Sequence, residues 1–195
     1  MLEIVFVRDA ARGDSDDTLS QEGEAQCLRA GEKLQERGFL PDLVVMSDDA
    51  RCRRTAELIA QGLGGEQPRF AVVPGLRYFA PDQATYDAHI GPIFKELGTE
   101  RPISEYLARD EEARRILLSR AGAVAGEILA EALGADGIKK VLIVGHHIMQ
   151  NLIGIMLAGI AQVSKDSILL GPEFEHLEGY EIHGDKPVTK VKLVD

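Results

Sequence analysis

The chain has few of the features that mark several protein classes. It carries only two cysteines, Cys27 and Cys52, which is too few for a disulfide scaffold and lacks the spacing of a metal motif. Basic residues are fewer than acidic ones, 22 against 32, which argues against a nucleic-acid-binding face. No repeat period is present, which excludes a solenoid.

The sequence also lacks a long apolar run. The longest, residues 148–160, contains Gln150 and Asn151 and is too short to cross a bilayer. Residues 1–8 lack the basic start and long apolar core of a signal peptide. We therefore expect a soluble, cytoplasmic protein that binds neither nucleic acid nor membrane.

The remaining composition is that of a globular protein. A chain of 195 residues with 45% hydrophobic residues can bury a sizeable core. No linker rich in Gly, Ser or Pro divides it, so a single domain is expected over residues 1–195.

Strand-like and helix-like segments alternate along the chain. Short apolar runs typical of buried strands occupy residues 2–7, 43–46, 70–73 and 141–145. Helical patterns follow Ser20 and cover residues 49–63, 86–97 and 111–133, with a further helix from about Ile148. This alternation predicts a three-layer α/β/α fold with a mostly parallel mixed sheet.

The C-terminal region has a different pattern. Residues 177–183 and 188–194 alternate apolar with polar side chains, and the sequence Gly184-Asp185-Lys186-Pro187 separates them. Two such segments joined by turn residues predict an antiparallel hairpin that closes the sheet.

Polar side chains follow three of the predicted strands. Arg8 and Asp9 come directly after the first strand, His146 follows residues 141–145, and Arg51 lies early in the helix after the second strand. Ligands of open α/β sheets bind at the carboxyl ends of the strands. If Arg8, Arg51 and His146 converge there, they form a small cationic pocket suited to a phosphoryl group.

Four segments, in order, carry a family resemblance. Residues 19–26 match a Leu-Thr-x-x-Gly-x-x-Gln helix start, and residues 47–56 match Ser-Pro-x-x-Arg-Ala-x-x-Thr-Ala at Ser47, Arg51, Thr55 and Ala56. Residues 141–146 match a strand that ends in a histidine, and the first strand ends in Arg8 like the Arg-His-Gly strand of the family. The chain resembles the histidine phosphatase superfamily, also called phosphoglycerate mutase-like, and within it the small phosphohistidine phosphatase branch.

The resemblance implies a role for each matching position. In the family the first histidine attacks phosphorus and becomes a phosphohistidine. Two arginines and the second histidine hold the phosphoryl oxygens and neutralise their charge. By resemblance, Arg8, Arg51 and His146 bind phosphate, His146 is also catalytic, and Asp9 occupies the position of the nucleophile.

Asp9 is the main departure from the family pattern, accompanied by Ala10 for glycine and Asp48 for proline. A carboxylate repels a phosphate dianion where a neutral imidazole tolerates it. We expect Asp9 to pair with Arg8, Arg51 or His146 and phosphate affinity to be low.

The family also supplies a carboxylic acid that protonates the leaving group. In the small-phosphatase branch the corresponding pattern is Pro-Glu-Leu, and here Gly75 takes the place of the glutamate. Asp82 or Glu57 could replace that acid only if residues 74–105, which would form the lid in relatives, fold back over the pocket.

These departures predict a degenerate histidine phosphatase, weak or inactive in hydrolysing phosphate esters or phosphohistidine. Its expected ligands are a phosphorylated small molecule or a phosphohistidine protein, and no cofactor is expected. Asp9 could have arisen by natural drift or by deliberate replacement of the nucleophile. The alternatives are an active phosphatase or mutase-like enzyme that uses another nucleophile, such as Asp9 itself, and a non-catalytic partner-binding protein.

Metal binding is a competing functional class, with Asp9, His146 and His147 as the ligands. Adjacent residues of an extended chain point to opposite sides, so His146 and His147 are not expected to share one ion. The sequence therefore predicts no metal.

Overall fold

The computed structural model describes residues 2–15, 17–98, 101–160, 175–183 and 186–194. The strands are β1 Glu3–Arg8, β2 Leu43–Met46, β3 Arg69–Val72, β4 Lys140–Gly145, β5 Glu178–His183 and β6 Thr189–Lys192. They form one sheet in the order β3-β2-β4-β1-β5-β6. The first four strands are parallel, whereas β5 and β6 run antiparallel to their neighbours. This confirms the predicted mixed sheet with a C-terminal hairpin.

Helices cover both faces of this sheet. They are α1 Gln21–Glu36, α2 Ala50–Leu63, α3 Gln83–Thr85, α4 Gly91–Leu97, α5 Ile103–Arg109, α6 Glu111–Leu133 and α7 His147–Ile160. Side chains alternate across a strand, so Val5 and Val7 of β1 pack with α1 and α2, whereas Ile4 and Phe6 pack with α5, α6 and α7. The predicted three layers are confirmed.

Local signals in the sequence set the ends of the main helices. The Ser20 hydroxyl accepts a hydrogen bond from the Gly23 amide at 2.9 Å and caps α1. Gly38 follows this helix at φ +72°, a conformation that glycine adopts without steric cost. Asp49 and Asp110 cap α2 and α6 in the same way as Ser20.

The segment after β3 differs from its prediction. A single helix was expected over residues 86–97, but helical structure begins at α3, continues as a π-helical turn over Tyr86–Ile90 and ends as α4. The Gly91 amide bonds to the Tyr86 carbonyl, five residues earlier. Pro92 near the start of α4 has no amide hydrogen to continue the regular pattern, which accounts for the irregular turn.

The other predicted boundaries shift by one or two residues, as helix and strand ends commonly do. In the predicted hairpin turn, Gly184 and Asp185 lie outside the described residues, as does Asp16 in the loop before α1. Within the described residues, no helix has both the length and the apolar character needed to span a membrane.

Candidate functional site

The site lies at the carboxyl ends of two neighbouring parallel strands. Arg8 of β1 pairs with Gly145 of β4, and the next residue, Asp9, donates its backbone amide to the Gly145 carbonyl at 3.0 Å. From β1 the chain crosses over β4 to β2, whereas after β4 it continues to β5 on the other side. Such a divergence opens a crevice, and Asp9 and His146 lie at its base.

Helix α2 brings a third side chain to this crevice. Asp49 caps the helix by accepting the Arg51 amide at 2.9 Å, which fixes the orientation of the first turn. The Arg51 Nη2 atom then lies 3.2 Å from Asp9 Oδ2. Thr55, one turn further along α2, accepts the Ala10 amide at 3.2 Å and holds the chain that follows Asp9.

The Asp9 carboxylate occupies the centre of the site. It is only 3% exposed, and its Oδ1 atom lies 3.7 Å from His146 Nδ1. Burial raises the pKa of Asp9, but the His146 ring and the positive charges of Arg51 and Arg8 outweigh that effect, so its pKa is lowered. Asp9 is therefore an ionised carboxylate, and the expected pairing with Arg51 and His146 is confirmed.

Cys52 is a neighbour that the sequence did not single out. Its Sγ atom lies 3.7 Å from His146 Nε2, whereas Asp9 faces Nδ1 of the same ring. The side chain is fully buried, and burial together with the negative charge of Asp9 raises the pKa of the Cys52 thiol. The only signal for Cys52 in the sequence is its position directly after Arg51, in the first turn of a predicted helix.

His176 is a second residue that sequence reasoning missed. Its Nδ1 atom lies 2.7 Å from the Asp9 carbonyl oxygen. A carbonyl oxygen only accepts, so Nδ1 carries the proton and donates it. The neighbouring Leu177 amide bonds to the Arg8 carbonyl at 3.1 Å. The predicted hairpin implies that an antiparallel strand beside β1 begins where β1 ends. The contact of His176 itself depends on the register of that strand against β1.

A cavity of about 430 Å³ lies near the start of α2, and we call its lining residues the rim. Its lining comprises residues 77–83 together with Tyr86 and Arg120. The Arg77 Nη1 atom lies 3.9 Å from Asp49 Oδ2, which connects this rim to the cap of α2.

Position 75, two residues before the rim begins, carries no carboxylic acid. A Cβ atom placed on Gly75 would lie 2.6 Å from Val124 Cγ2 and 3.1 Å from Arg120 Nη2, so α6 fills the space that a side chain there would need. Asp82 lines the cavity, but it accepts the Thr85 amide at 2.7 Å, and this hydrogen bond lowers its pKa. Asp82 is therefore poorly suited to donate a proton. Glu57 is exposed and faces Arg54 on the same helix.

Among the side chains that the structure describes, three metal-ligating groups lie close together at the centre of the site. One atom each of Asp9, Cys52 and His146 lie within 4.8 Å of one another. The side chain of His147, the first residue of α7, lies outside what the structure describes.

Comparison with known proteins identifies the family. The histidine phosphatase superfamily (branch 1) matches residues 7–171. A protein of Citrobacter koseri named "Probable phosphoglycerate mutase GpmB" is 31% identical over 117 residues, which are 60% of this chain and 45% of that protein. Its namesake in Erwinia tasmaniensis is 38% identical over 73 residues, 33% of each chain. The chain thus spans less than half the length of these curated relatives.

Solved structures share the fold at lower identity. Mycobacterial glucosyl-3-phosphoglycerate phosphatase Rv2419c, in complex with VO3, has a TM-score of 0.59 at 19% identity and 97% coverage of both chains. SixA from Agrobacterium tumefaciens, described as a candidate phosphohistidine phosphatase, has a TM-score of 0.54 at 17% identity, covering 98% of this chain and 96% of that one. With the family pattern covering most of its length, this chain belongs to the histidine phosphatase superfamily, branch 1.

Proposed function

We propose that Arg8, Arg51 and His146 form a phosphate-type pocket in which Asp9 has replaced the nucleophilic histidine. In this proposal the protein binds phosphorylated ligands weakly and is a weak or inactive phosphatase. The observation that carries the proposal is the position of the Asp9 carboxylate, 3.2 Å from Arg51 and 3.7 Å from His146.

Asp9 affects ligand binding through its charge. Two unit charges about 4 Å apart interact by about 4 kcal/mol at an effective dielectric of 20, and a phosphate dianion would feel about twice that repulsion. The lowered pKa of Asp9 keeps the charge in place at neutral pH. Arg51 is already paired with Asp9, so part of its attraction for an anion is used within the protein.

Catalysis is affected separately. A carboxylate attacking a dianion needs a cation to reduce the repulsion, and in phosphotransfer ATPases that cation is Mg²⁺. Among the described residues, the donor cluster containing Asp9 has a single carboxylate, which does not suit a hard cation. The absence of an acid at Gly75 further weakens leaving-group departure.

The names of similar proteins support a choice of ligand class. The names of the similar proteins include a phosphoglycerate mutase, a glucosyl-3-phosphoglycerate phosphatase and a candidate phosphohistidine phosphatase. For this chain we propose a phosphorylated small molecule or a phosphohistidine protein. The rim cavity, with Arg77, Arg120 and Tyr86 in its lining, would contact the rest of such a ligand.

Turnover of p-nitrophenyl phosphate and of a phosphohistidine peptide tests this proposal. We compare the wild type with Asp9→His and Asp9→Ala, and with Asp14→His as a control at an exposed position of the loop before α1. The expected result is negligible turnover by all but Asp9→His, since only that variant regains a nucleophile beside Arg51 and His146. Wild-type turnover that Asp9→Ala abolishes would instead identify Asp9 as the nucleophile and overturn the proposal.

A further inference from the structure

The three donor atoms at the centre of the site have a chemistry that phosphate binding does not use. Asp9, Cys52 and His146 each place a carboxylate, thiol or imidazole atom within 4.8 Å of the other two. Two of these residues depart from the family pattern, which has histidine at position 9 and alanine at position 52. The two positions are adjacent in space. At position 9 a carboxylate takes the place of another metal-ligating group, and at position 52 a thiol is added beside the His146 ring.

We propose that Asp9, Cys52 and His146 bind a thiophilic divalent transition-metal ion such as Zn²⁺. Thiolate, imidazole and carboxylate are the ligands that Zn²⁺ takes in proteins, at about 2.3, 2.0–2.1 and 2.0–2.2 Å. Three protein ligands leave a fourth tetrahedral position for water or an anion. This inference does not depend on phosphate binding by the same pocket.

The observed distances are compatible with such a site. Tetrahedral coordination with these bond lengths separates ligand atoms by about 3.3–3.6 Å. Cys52 Sγ lies 3.7 Å from one His146 ring nitrogen and Asp9 Oδ1 lies 3.7 Å from the other. The ion would bind one of the two nitrogens, and small rotations of the imidazole and the carboxylate would bring the three groups to ligand spacing.

The charges around the cluster also fit. The Asp9 carboxylate and a Cys52 thiolate together neutralise a divalent ion. Asp9 Oδ1 faces His146, whereas Oδ2 faces Arg51 and makes no hydrogen bond. The carboxylate can therefore bind the ion through one oxygen and keep Arg51 on the other, an outer contact of the kind that orients metal ligands.

The same three residues resemble a carboxylate–imidazole–thiol relay for nucleophilic catalysis, but the surroundings of the thiol oppose that reading. Cys52 is fully buried, whereas reactive cysteines lie in partly exposed positions. An entering ion instead displaces the proton: the S–H bond breaks, the S–metal bond forms and the proton leaves to solvent.

Cobalt(II) is a suitable probe because it occupies zinc sites and its thiolate complexes absorb in the near ultraviolet. We titrate the untagged full chain, stripped with a chelator and in phosphate-free buffer, with cobalt chloride. The expected result is a thiolate-to-cobalt charge-transfer band that saturates at one equivalent and disappears when Zn²⁺ is added.

Two cysteine variants form the matched pair. Cys52→Ala introduces the residue of the family pattern and should lose the band. Because loss of an outer-shell contact alone costs roughly 10–100-fold in metal affinity, this variant should bind Zn²⁺ more than about 100-fold more weakly. Cys27→Ala removes the other buried thiol, which lies outside the cluster, and should keep the band.

Thermal unfolding distinguishes a loss of metal binding from a folding defect. Ligands that bind only the native state raise Tm, so Zn²⁺ should raise Tm of the wild type and of Cys27→Ala but not of Cys52→Ala or Asp9→Asn. A cooperative transition in each variant shows that it is folded. A wild type without the band, or a band that persists in Cys52→Ala, would overturn the inference, and neither result bears on phosphate turnover.

Discussion

The floor of the pocket and its rim are built by different means. We call Asp9, Arg51 and His146 the floor. Asp9 and His146 directly follow the paired strands β1 and β4, and Arg51 lies in the first turn of the capped helix α2. The sheet and the helix cap therefore fix the backbone of the floor. Most of the rim, residues 77–83 and Tyr86, follows the edge strand β3 and consists of short turns and the three-residue helix α3. Regular hydrogen bonding thus fixes the floor, whereas side-chain packing holds the rim.

Aromatic contacts fix the segment that carries the rim. The Phe94 ring packs edge-to-face against Phe79 at 5.0 Å and against Tyr106 at 5.5 Å between centroids, a favoured arrangement for aromatic pairs. Tyr106 is fully buried and its hydroxyl donates to the Gly98 carbonyl at 3.0 Å. Charge changes in the floor should therefore affect ligand binding, whereas changes in the rim should act through packing.

The largest expected effect is on anion affinity in the floor. Asp9→Asn keeps the size of the side chain but removes its charge and releases Arg51. We expect phosphate or vanadate to bind at least about 100-fold more tightly, about 2.8 kcal/mol, which is less than the repulsion of about 4 kcal/mol per charge pair. Isothermal titration calorimetry at fixed ionic strength measures the change.

Asp14→Asn is the matched control, because it removes the same charge from an exposed position. Its affinity for phosphate should equal that of the wild type. Micromolar phosphate binding by the wild type, unchanged in Asp9→Asn, would contradict the role of Asp9 and remove the distinction between floor and rim.

A second prediction concerns stability in acid. The pKa of Asp9 is lower in the folded protein than in the unfolded chain, so the unfolded state binds the extra proton first. The stability that ionised Asp9 contributes is present above the ordinary aspartate pKa of about 3.9 and is lost as the pH falls through the folded value. In urea unfolding, the difference between wild type and Asp9→Asn should shrink across this range. A difference that does not vary with pH would be inconsistent with the ionised, paired carboxylate.

The floor was more predictable from the sequence than the rim. The approach of Arg51 and His146 to Asp9 could be predicted because each of these residues lies at the end of a regular element, and topology brings such ends together. His176 was missed because no motif surrounds it and its contact depends on the register of β5 against β1. Cys52 was missed because a fully buried cysteine on a helix has the pattern of an ordinary core residue.

The rim was less predictable for a related reason. Its π-helical turn results from Pro92 and its neighbours, and its position depends on aromatic contacts between residues distant in sequence. The pattern at Gly75 indicated that an acid is missing, but not that Val124 of α6 occupies the space. Such contacts are properties of packing and cannot be inferred from periodicity.

A third prediction concerns an acid introduced at position 75, next to the rim. Gly75→Glu would place a Cβ atom 2.6 Å from Val124 Cγ2, on a stiff, fully buried side chain. Overpacking of this kind typically costs about 1–3 kcal/mol, so we expect a lower free energy of unfolding and no gain of phosphatase activity. Gly126→Glu on α6, where an added Cβ meets nothing within 4 Å, is the control and should not destabilise the protein. Equal stability of Gly75→Glu and wild type would show that the rim adapts more readily than its packing indicates.

The smallest expected effects are those on stability when a helix cap is removed, either Asp49 beside the floor or Asp82 in the rim. Asp49 is buried and caps the 14-residue α2, so Asp49→Ala should lower the free energy of unfolding by about 1 kcal/mol. Asp82 is exposed and caps the three-residue α3, so Asp82→Ala should change global stability less and speed hydrogen exchange only in residues 83–97. Urea unfolding with exchange mass spectrometry compares the two variants. Because both lose a carboxylate that accepts one backbone amide, equal losses of global stability would mean that the rim folds as one unit with the floor.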